Sequence, residues 1–159
     1  MISGILPNLG FMNLIIVLLF FILMEGVAWS AHKYLMHGFL WFLHRSHHRP
    51  METEGFFERN DFFFVIFAIP GIILILLGSL DAWNWKFFAG LGIALYGLCY
   101  FIVHDVFIHQ RLPWLRNTDN AYFRAIRKAH KVHHKKMDKE NGESFGMLFV
   151  SMKYFRKMS

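Results

Sequence analysis

Three long runs of apolar residues constrain this chain of 159 residues more than any other feature. They cover about residues 9–31, 62–80 and 87–108, and the second run carries no charge. Each run approaches the ~20 residues that a helix needs to cross a bilayer. Since backbone polar groups in lipid must be paired within their own segment, we expect three transmembrane helices. A composition of 55% hydrophobic and 18% charged residues excludes a disordered chain and disfavours a soluble enzyme.

The basic residues predict how these helices are oriented. Of the 17 Lys and Arg residues only Lys86 lies within or between the second and third runs, and the others all fall in residues 33–61 and 111–159. By the positive-inside rule these two segments are cytoplasmic. We therefore predict an all-α, polytopic membrane protein with three or four transmembrane helices, in which residues 1–159 form a single integral-membrane domain. The first and third helices then end at the cytoplasmic face.

Histidine is the second unusual feature, with ten residues against 11 acidic ones. The spacing is H-x4-H followed by H-x2-H-H, and the same order then occurs again without leaving a histidine over. The ten residues are His32, His37, His44, His47 and His48 in the first repeat, and His104, His109, His130, His133 and His134 in the second. Clustered histidines are typical of metal sites. The repeated pattern therefore predicts a metal centre, and the single cysteine excludes a thiolate zinc site.

The two kinds of motif differ in helical geometry. In H-x2-H-H the spacings i, i+3 and i+4 place all three rings on one face of a helix. The second such motif belongs to a stripe at helical spacing, made of Phe123, Ile126, His130, His133, His134 and Met137, opposite the cations Arg124, Arg127, Lys128, Lys131 and Lys135. In H-x4-H the two positions do not share a face of a regular helix. Each such pair is expected either to straddle a helix end, as Gly38 and Pro113 indicate, or to serve two different metals.

Ten imidazoles exceed the roughly four to six ligands that one ion binds, so we expect two metal ions at the cytoplasmic face. Imidazole suits Fe, Zn, Cu and Ni, and the motifs lack the Glu-x-x-His pairs of soluble carboxylate diiron sites. Asp105, beside His104, is either an acceptor for the N–H of a ligand or a solvated carboxylate at a helix end. Glu25 lies inside the first run, where an ionisable group usually marks function, and could pair with the site or act in the structure alone.

Six segments carry a resemblance to a known family. They are EGVAWSAHKYLMH (25–37), WFLHRSHH (41–48), FERND (57–61), HDVFIHQRLP (104–113), YFRAIRKAHKVHH (122–134) and SFGML (144–148). In these segments, which span most of the chain, the sequence resembles the bacterial β-carotene hydroxylases of the fatty acid hydroxylase/sterol desaturase superfamily. The four histidine motifs are common to the superfamily, whereas HDxxxHQRxP and SFG point to carotenoid hydroxylases.

The resemblance implies a non-haem diiron monooxygenase of the bacterial inner membrane, which uses O2 and electrons from ferredoxin or a similar donor. It implies hydroxylation at C3 of β-ionone rings, from β-carotene through β-cryptoxanthin to zeaxanthin, with ketocarotenoids on the route towards astaxanthin as further substrates. All ten histidines are then ligands of two Fe ions, in which zinc would be a substitution. The resemblance implies no further catalytic or cofactor-binding residue.

Two other functions fit parts of the pattern. Another fatty acid or sterol hydroxylase of the same superfamily would have a similar metal site and different flanking segments. A membrane metal transporter would place its histidines at mid-depth, whereas these lie at or beyond the predicted helix ends. The basic face from Arg124 to Lys139 could contact anionic lipid, an acidic electron donor or nucleic acid, and the membrane context argues against nucleic acid.

Overall fold

The computed structural model describes residues 10–49 and 55–156. Residue 9 of the first predicted run, and residues 50–54 and 157–159 of the predicted cytoplasmic segments, lie outside the described residues. All regular structure within the described residues is helical, which confirms the predicted all-α class. The α-helices are α1 (Phe11–Ser30), α2 (Trp41–His48), α3 (Phe62–Leu80), α4 (Trp85–Tyr100) and α5 (Ala121–His134). The π-helical segments are π1 (Ala31–Phe39) and π2 (Phe101–Ile108), and 3-10 turns lie at Arg59–Asp61 and Met152–Tyr154.

In the described part of the chain, three helical stretches are long and apolar enough to cross a membrane. They are Phe11–Phe39, Arg59–Leu80 and Trp85–Ile108. They confirm the prediction of three such helices, and the first runs on to residue 39 because π1 continues α1. Large apolar side chains of α3 are exposed, among them Ile72 at 61% and Leu80 at 77%. An extended apolar surface of this kind is suited to contact with lipid chains.

Contacts within the chain define two compact units. The first comprises residues 1–24 and 64–98, and the second comprises residues 25–63 and 99–159. The second unit contains all ten histidines, together with α2, α5 and both π segments. All the candidate site residues therefore lie in one unit.

Glycine lets α3 and α4 approach closely in the first unit. A side-chain carbon at Gly90 would lie 2.6 Å from the carbonyl oxygen of Gly71 and 2.7 Å from the backbone nitrogen of Ile75. Small residues at such crossings allow helix backbones to touch, which is the usual packing device of membrane helices. Gly97, in the same helix, has nothing within 4 Å of the corresponding position. The close packing of α3 and α4 therefore requires a glycine at position 90, whereas position 97 has room for a side chain.

Helix α5 has a well-defined start. The side chain of Asn120 accepts hydrogen bonds from the backbone N–H groups of Tyr122 (2.9 Å) and Phe123 (3.2 Å), which would otherwise have no partner in the first turn. The helix ends at His134, so that the second H-x2-H-H motif occupies its last turn. The cap thus fixes where this motif stands relative to the helix end.

The predicted stripe on α5 is only partly right. Ile126, His130 and His133 are buried, as expected. Phe123 and Met137 are 37% and 48% exposed, and the prediction was wrong for both. Met137 lies beyond the end of the helix, and the buried face is completed by alanines instead. The residues of that packing are Ala125 and Ala129, which contact Tyr154.

We expect Gly90→Ala to destabilise the protein by about 1–3 kcal/mol, because the added methyl group overlaps the backbone of α3. Thermal unfolding in detergent, followed by tryptophan fluorescence, measures the effect. Gly97→Ala is the matched control on the same helix and should leave the unfolding temperature unchanged or raise it. Equal unfolding temperatures for the two variants would contradict the close helix approach.

Candidate metal centre

Each H-x4-H pair belongs to a π-helical turn. In π2 the N–H of His109 donates to the carbonyl oxygen of His104 at 2.9 Å. This bond joins residues five apart, which is the hydrogen-bond spacing of the π-helix and the spacing of the motif itself. Ring centroids are consequently 4.6 Å apart in this pair and 5.2 Å apart for His32 and His37 in π1. The expected break in the helix is found in both pairs, because the backbone leaves helical geometry at Gly38, directly after His37, and π2 ends at Ile108, directly before His109.

The histidines form two groups whose ring nitrogens converge. Within each group the candidate ligand atoms lie within 4.8 Å of one another. Group 1 is His32, His37, His44, His48 and His133, and group 2 is His47, His104, His109 and His130. His134 adjoins group 2, with its Nε2 atom 2.8 Å from Nε2 of His130. The structure thus brings all ten predicted residues together, and both members of each H-x4-H pair enter the same group.

Each group is completed by one histidine from the other sequence repeat. Group 1 takes His133 from the second repeat, and group 2 takes His47 from the first. These are the middle rings of the two H-x2-H-H motifs. The three rings of each motif point to one side, as predicted, but the middle ring turns to the opposite group. Neither repeat can therefore form a complete group by itself.

The outer ring nitrogens are held by hydrogen-bond acceptors. Four Nδ1 atoms donate to backbone carbonyls, namely His32 to Phe145 (3.0 Å), His37 to Lys139 (3.1 Å), His48 to Lys136 (3.0 Å) and His133 to Glu143 (2.8 Å). Three donate to side chains, namely His44 to Asn60 (2.7 Å), His47 to Glu58 (2.9 Å) and His104 to Asp105 (3.2 Å). Because a carbonyl or carboxylate oxygen can only accept, each of these seven rings carries a proton on Nδ1.

The inner Nε2 atoms face one another across each group. They are 3.1 Å apart for His32 and His44, and 3.2 Å apart for His47 and His104. In a neutral ring with its proton on Nδ1, Nε2 presents a lone pair. Two lone pairs at this distance repel unless a cation lies between them. An imidazole whose other nitrogen donates to a protein acceptor is the form that metals bind, so the donor set fits a metal ion in each group.

Burial keeps the rings beyond the membrane-spanning stretches neutral. It is the largest cause that lowers the pKa of His44 and His48 from 6.5 to about 2, and that of His134 to about 3. Neighbouring imidazoles add to the effect, and in His44 the hydrogen bond to Asn60 opposes it. Burial likewise lowers the pKa of His133 to about 4, against the hydrogen bond to the Glu143 carbonyl. At neutral pH these rings are therefore free of the proton that would compete with a metal.

Glu25 anchors the segment that follows α5. It is buried at 4% exposure, and its Oε1 atom accepts three backbone N–H groups. The donors are Met147 (2.9 Å), Leu148 (2.8 Å) and Phe149 (3.1 Å). A side-chain carbon at Gly146 would lie 2.9 Å from the same oxygen, so this glycine permits the contact. The backbone carbonyl of the adjacent Phe145 accepts from His32, so this backbone segment links Glu25 to the site.

A charged cluster beside group 2 was missed in the sequence. Arg111 Nη1 lies 2.8 Å from Asp61 Oδ1 and 3.2 Å from Asp105 Oδ1, and Nη2 lies 3.1 Å from Glu58 Oε1. Burial lowers the pKa of Arg111. The hydrogen bond with Asp61 and the charge of Asp105 raise that pKa by more than burial lowers it, so the net shift is upward. Asp105 is 8% exposed and accepts from Nδ1 of His104. Of the two interpretations of Asp105, the structure therefore favours an acceptor for the ring N–H over a solvated carboxylate. The sequence did offer one sign of this cluster, because Glu58 and Arg111 lie in two of the six segments that resemble β-carotene hydroxylases.

Comparison with known proteins identifies the family. Residues 17–155 match the family model described as fatty acid hydroxylase. The β-carotene hydroxylase of Pantoea ananas is 44% identical over 87% of this chain and 77% of its own length, and that of Pseudescherichia vulneris is 41% identical over the same shares. The chloroplastic β-carotene 3-hydroxylase of Gentiana lutea is 42% identical over 78% of this chain and 38% of its own. No solved structure matches the chain. The chain belongs to the fatty acid hydroxylase family, which confirms the resemblance read from its sequence.

We expect Glu25→Ala to lower the unfolding temperature, because three backbone N–H groups lose their acceptor and one of them, that of Met147, is buried. Each buried donor without a partner costs about 1–3 kcal/mol. Glu25→Gln keeps an oxygen acceptor at the same place and is the matched control, so it should retain most of the stability. Thermal unfolding of both variants in detergent checks this, and equal losses would show that the three hydrogen bonds do not hold the segment.

Proposed function

We propose that this member of the fatty acid hydroxylase family is a carotenoid hydroxylase. It would insert one oxygen atom of O2 at C3 of β-ionone rings, and so convert β-carotene through β-cryptoxanthin to zeaxanthin. Ketocarotenoids on the route towards astaxanthin are further candidate substrates. The observation that carries the proposal is the convergence of ten buried or half-buried histidines into two metal-sized groups, in a chain 41–44% identical to bacterial proteins named β-carotene hydroxylase.

The ten histidines would hold two iron ions, one in each group. His32, His37, His44, His48 and His133 would hold the first, and His47, His104, His109, His130 and His134 the second. Iron bound there would supply the redox chemistry that activates O2 for attack on a C–H bond, which zinc, having a single oxidation state, does not supply. Zinc in a purified sample would on this view be a substitution.

The residues of the chain contribute position, protonation state and exclusion of water. Hydrogen bonds from Nδ1 fix the tautomer of seven rings and aim their Nε2 atoms inward. His133 has no exposed surface and His44 is 2% exposed, so bulk water is kept from the rings. Asp105 would act on His104, by holding the proton on Nδ1 and thereby the orientation of the ring. We assign no separate catalytic acid or base.

The membrane location suits a carotenoid substrate, which is apolar and dissolves in the bilayer. We propose that residues 1–159 form a single integral-membrane domain of the bacterial inner membrane, with the histidine groups on the cytoplasmic side. Support comes from the three apolar helices and from the distribution of Lys and Arg in the sequence. A substrate ring could then enter from lipid while electrons arrive from the cytosol.

The electron donor would be ferredoxin or a similar small acidic protein. Support comes from exposed cations near the centre, including Lys135, Lys136 and Lys139. The backbone carbonyls of Lys136 and Lys139 accept directly from His48 and His37, so this surface lies one residue from the imidazoles. Complementary charge would orient an acidic donor there. Part of the same basic surface is suited to anionic lipid headgroups.

Co-expression with a β-carotene pathway in a bacterial host should produce zeaxanthin, which pigment extraction and chromatography would detect. His133→Ala is the inactive control, since it removes a ring from group 1 while the protein should stay in the membrane. Unchanged β-carotene, with iron-loaded protein present in the membrane, would overturn the carotenoid assignment. Conversion of a fatty acid or sterol instead would favour another branch of the superfamily.

Reporter fusions should place Trp83 outside the cytoplasm and a fusion after Ser159 inside it. The reason is that Lys86 is the only cation of the turn region between α3 and α4, whereas the C-terminal segment is rich in Lys and Arg. Paired alkaline phosphatase and fluorescent protein fusions give opposite signals on the two sides. A fluorescent fusion that is active at Trp83, with active phosphatase after Ser159, would reverse the proposed orientation.

A further inference from the structure

The two histidine groups differ in what stands behind their rings. In group 1 every Nδ1 atom donates to an uncharged oxygen, either a backbone carbonyl or the amide of Asn60. In group 2 the Nδ1 atoms of His47 and His104 donate to carboxylates, those of Glu58 and Asp105. The sequence repeat, which gives the two groups the same ligand types, does not extend to these partners.

The two carboxylates are held in place by one guanidinium. Glu58 uses Oε2 for His47 and Oε1 for Arg111, and Asp105 uses Oδ2 for His104 and Oδ1 for Arg111. Each carboxylate therefore bridges a histidine and Arg111. The side chains are mostly buried, with exposures of 26% for Glu58, 11% for Asp105 and 14% for Arg111. With Asp61 also present, three negative charges face one positive charge, and the cluster has a net negative charge beside group 2.

A carboxylate behind an imidazole makes the opposite nitrogen a stronger donor. The hydrogen bond gives the ring partial anionic character, which strengthens its bond to a metal and favours the more highly charged ion. A hydrogen bond to a backbone carbonyl or to a neutral amide strengthens the metal bond less, because the acceptor carries no net charge. The remaining negative charge of the cluster acts in the same direction through space, because it lies in a poorly solvated region.

We propose that the two groups hold unequal metal ions, with the ion of group 2 bound more tightly and oxidised more readily, and that Glu58, Asp105 and Arg111 are the positioning residues that create the difference. The inference rests on the proposed function only in taking two iron ions as the metal. It requires no particular substrate.

The test uses the detergent-solubilised protein loaded with two equivalents of ferrous iron under anaerobic conditions. A colorimetric ferrous chelator is added and iron release is followed with time. We expect two phases of one ion each. Glu58→Gln and Asp105→Asn should accelerate the slow phase by about 10- to 100-fold, the usual cost of losing such a partner, and leave the fast phase unchanged.

Two further variants separate this effect from general damage. Asp61→Asn removes a negative charge next to the same guanidinium without removing a hydrogen bond to a histidine, so it should accelerate the slow phase much less than Glu58→Gln does. Asn60→Asp places a carboxylate behind His44 in group 1, and should slow the fast phase. A slower release cannot be explained by unfolding. Circular dichroism of each variant checks that the helices are retained.

Mössbauer spectra of the same samples, taken during stepwise oxidation of 57Fe-loaded protein, give a second readout. The site in group 2 should oxidise before the site in group 1. Glu58→Gln should reduce the difference in reduction potential between the two sites. Release in a single phase, equal acceleration of both phases by Glu58→Gln, or simultaneous oxidation of both sites would overturn the proposal. Unequal iron sites without zeaxanthin formation would leave this inference standing and remove only the proposed substrate.

Discussion

The structure depends on imidazole rings that are buried, neutral and fixed in one tautomer. Seven Nδ1 atoms donate to protein acceptors, so the Nε2 lone pairs point at one another across distances such as the 3.1 Å between His32 and His44. A packed array of lone pairs is not stable by itself, and protonation is opposed by burial, as the pKa of about 2 for His44 and His48 indicates. The arrangement is coherent only around cations. Metal binding at these groups would therefore be coupled to folding of this unit, since the free energy of one would contribute to the other.

The exchange of middle rings couples the two halves of the sequence. His47 lies on α2 and His133 on α5, yet each completes the group built mainly by the other repeat. An ion bound in either group would thus hold both helices and the π segment of one repeat. The arrangement brings together residues up to 113 positions apart in the chain, as with His32 and Phe145. Loss of one middle ring would weaken the link between the repeats as well as one metal group.

Hydropathy and histidine spacing predicted three long apolar helices and the ten histidines that the structure brings together, because both patterns are visible in local sequence. The π turns were not predicted, since the spacing of His104 and His109 was compared with a regular α-helix. The assignment of each ring to a group could not be predicted either. His47 and His48 are neighbours on one helix face, and only the packing of distant elements sends them to different groups. The backbone carbonyls that accept from four rings are likewise invisible in sequence, because every residue offers one.

The segment between α5 and the 3-10 turn at Met152–Tyr154 has little regular structure and is held by hydrogen bonds to buried side chains. Its backbone supplies acceptors to rings of group 1 and donors to Glu25. A buried carboxylate in an apolar helix is expensive unless its hydrogen bonds are made, and here Oε1 receives three. The one acidic residue of α1 therefore holds the backbone segment whose Phe145 carbonyl accepts from His32 of group 1.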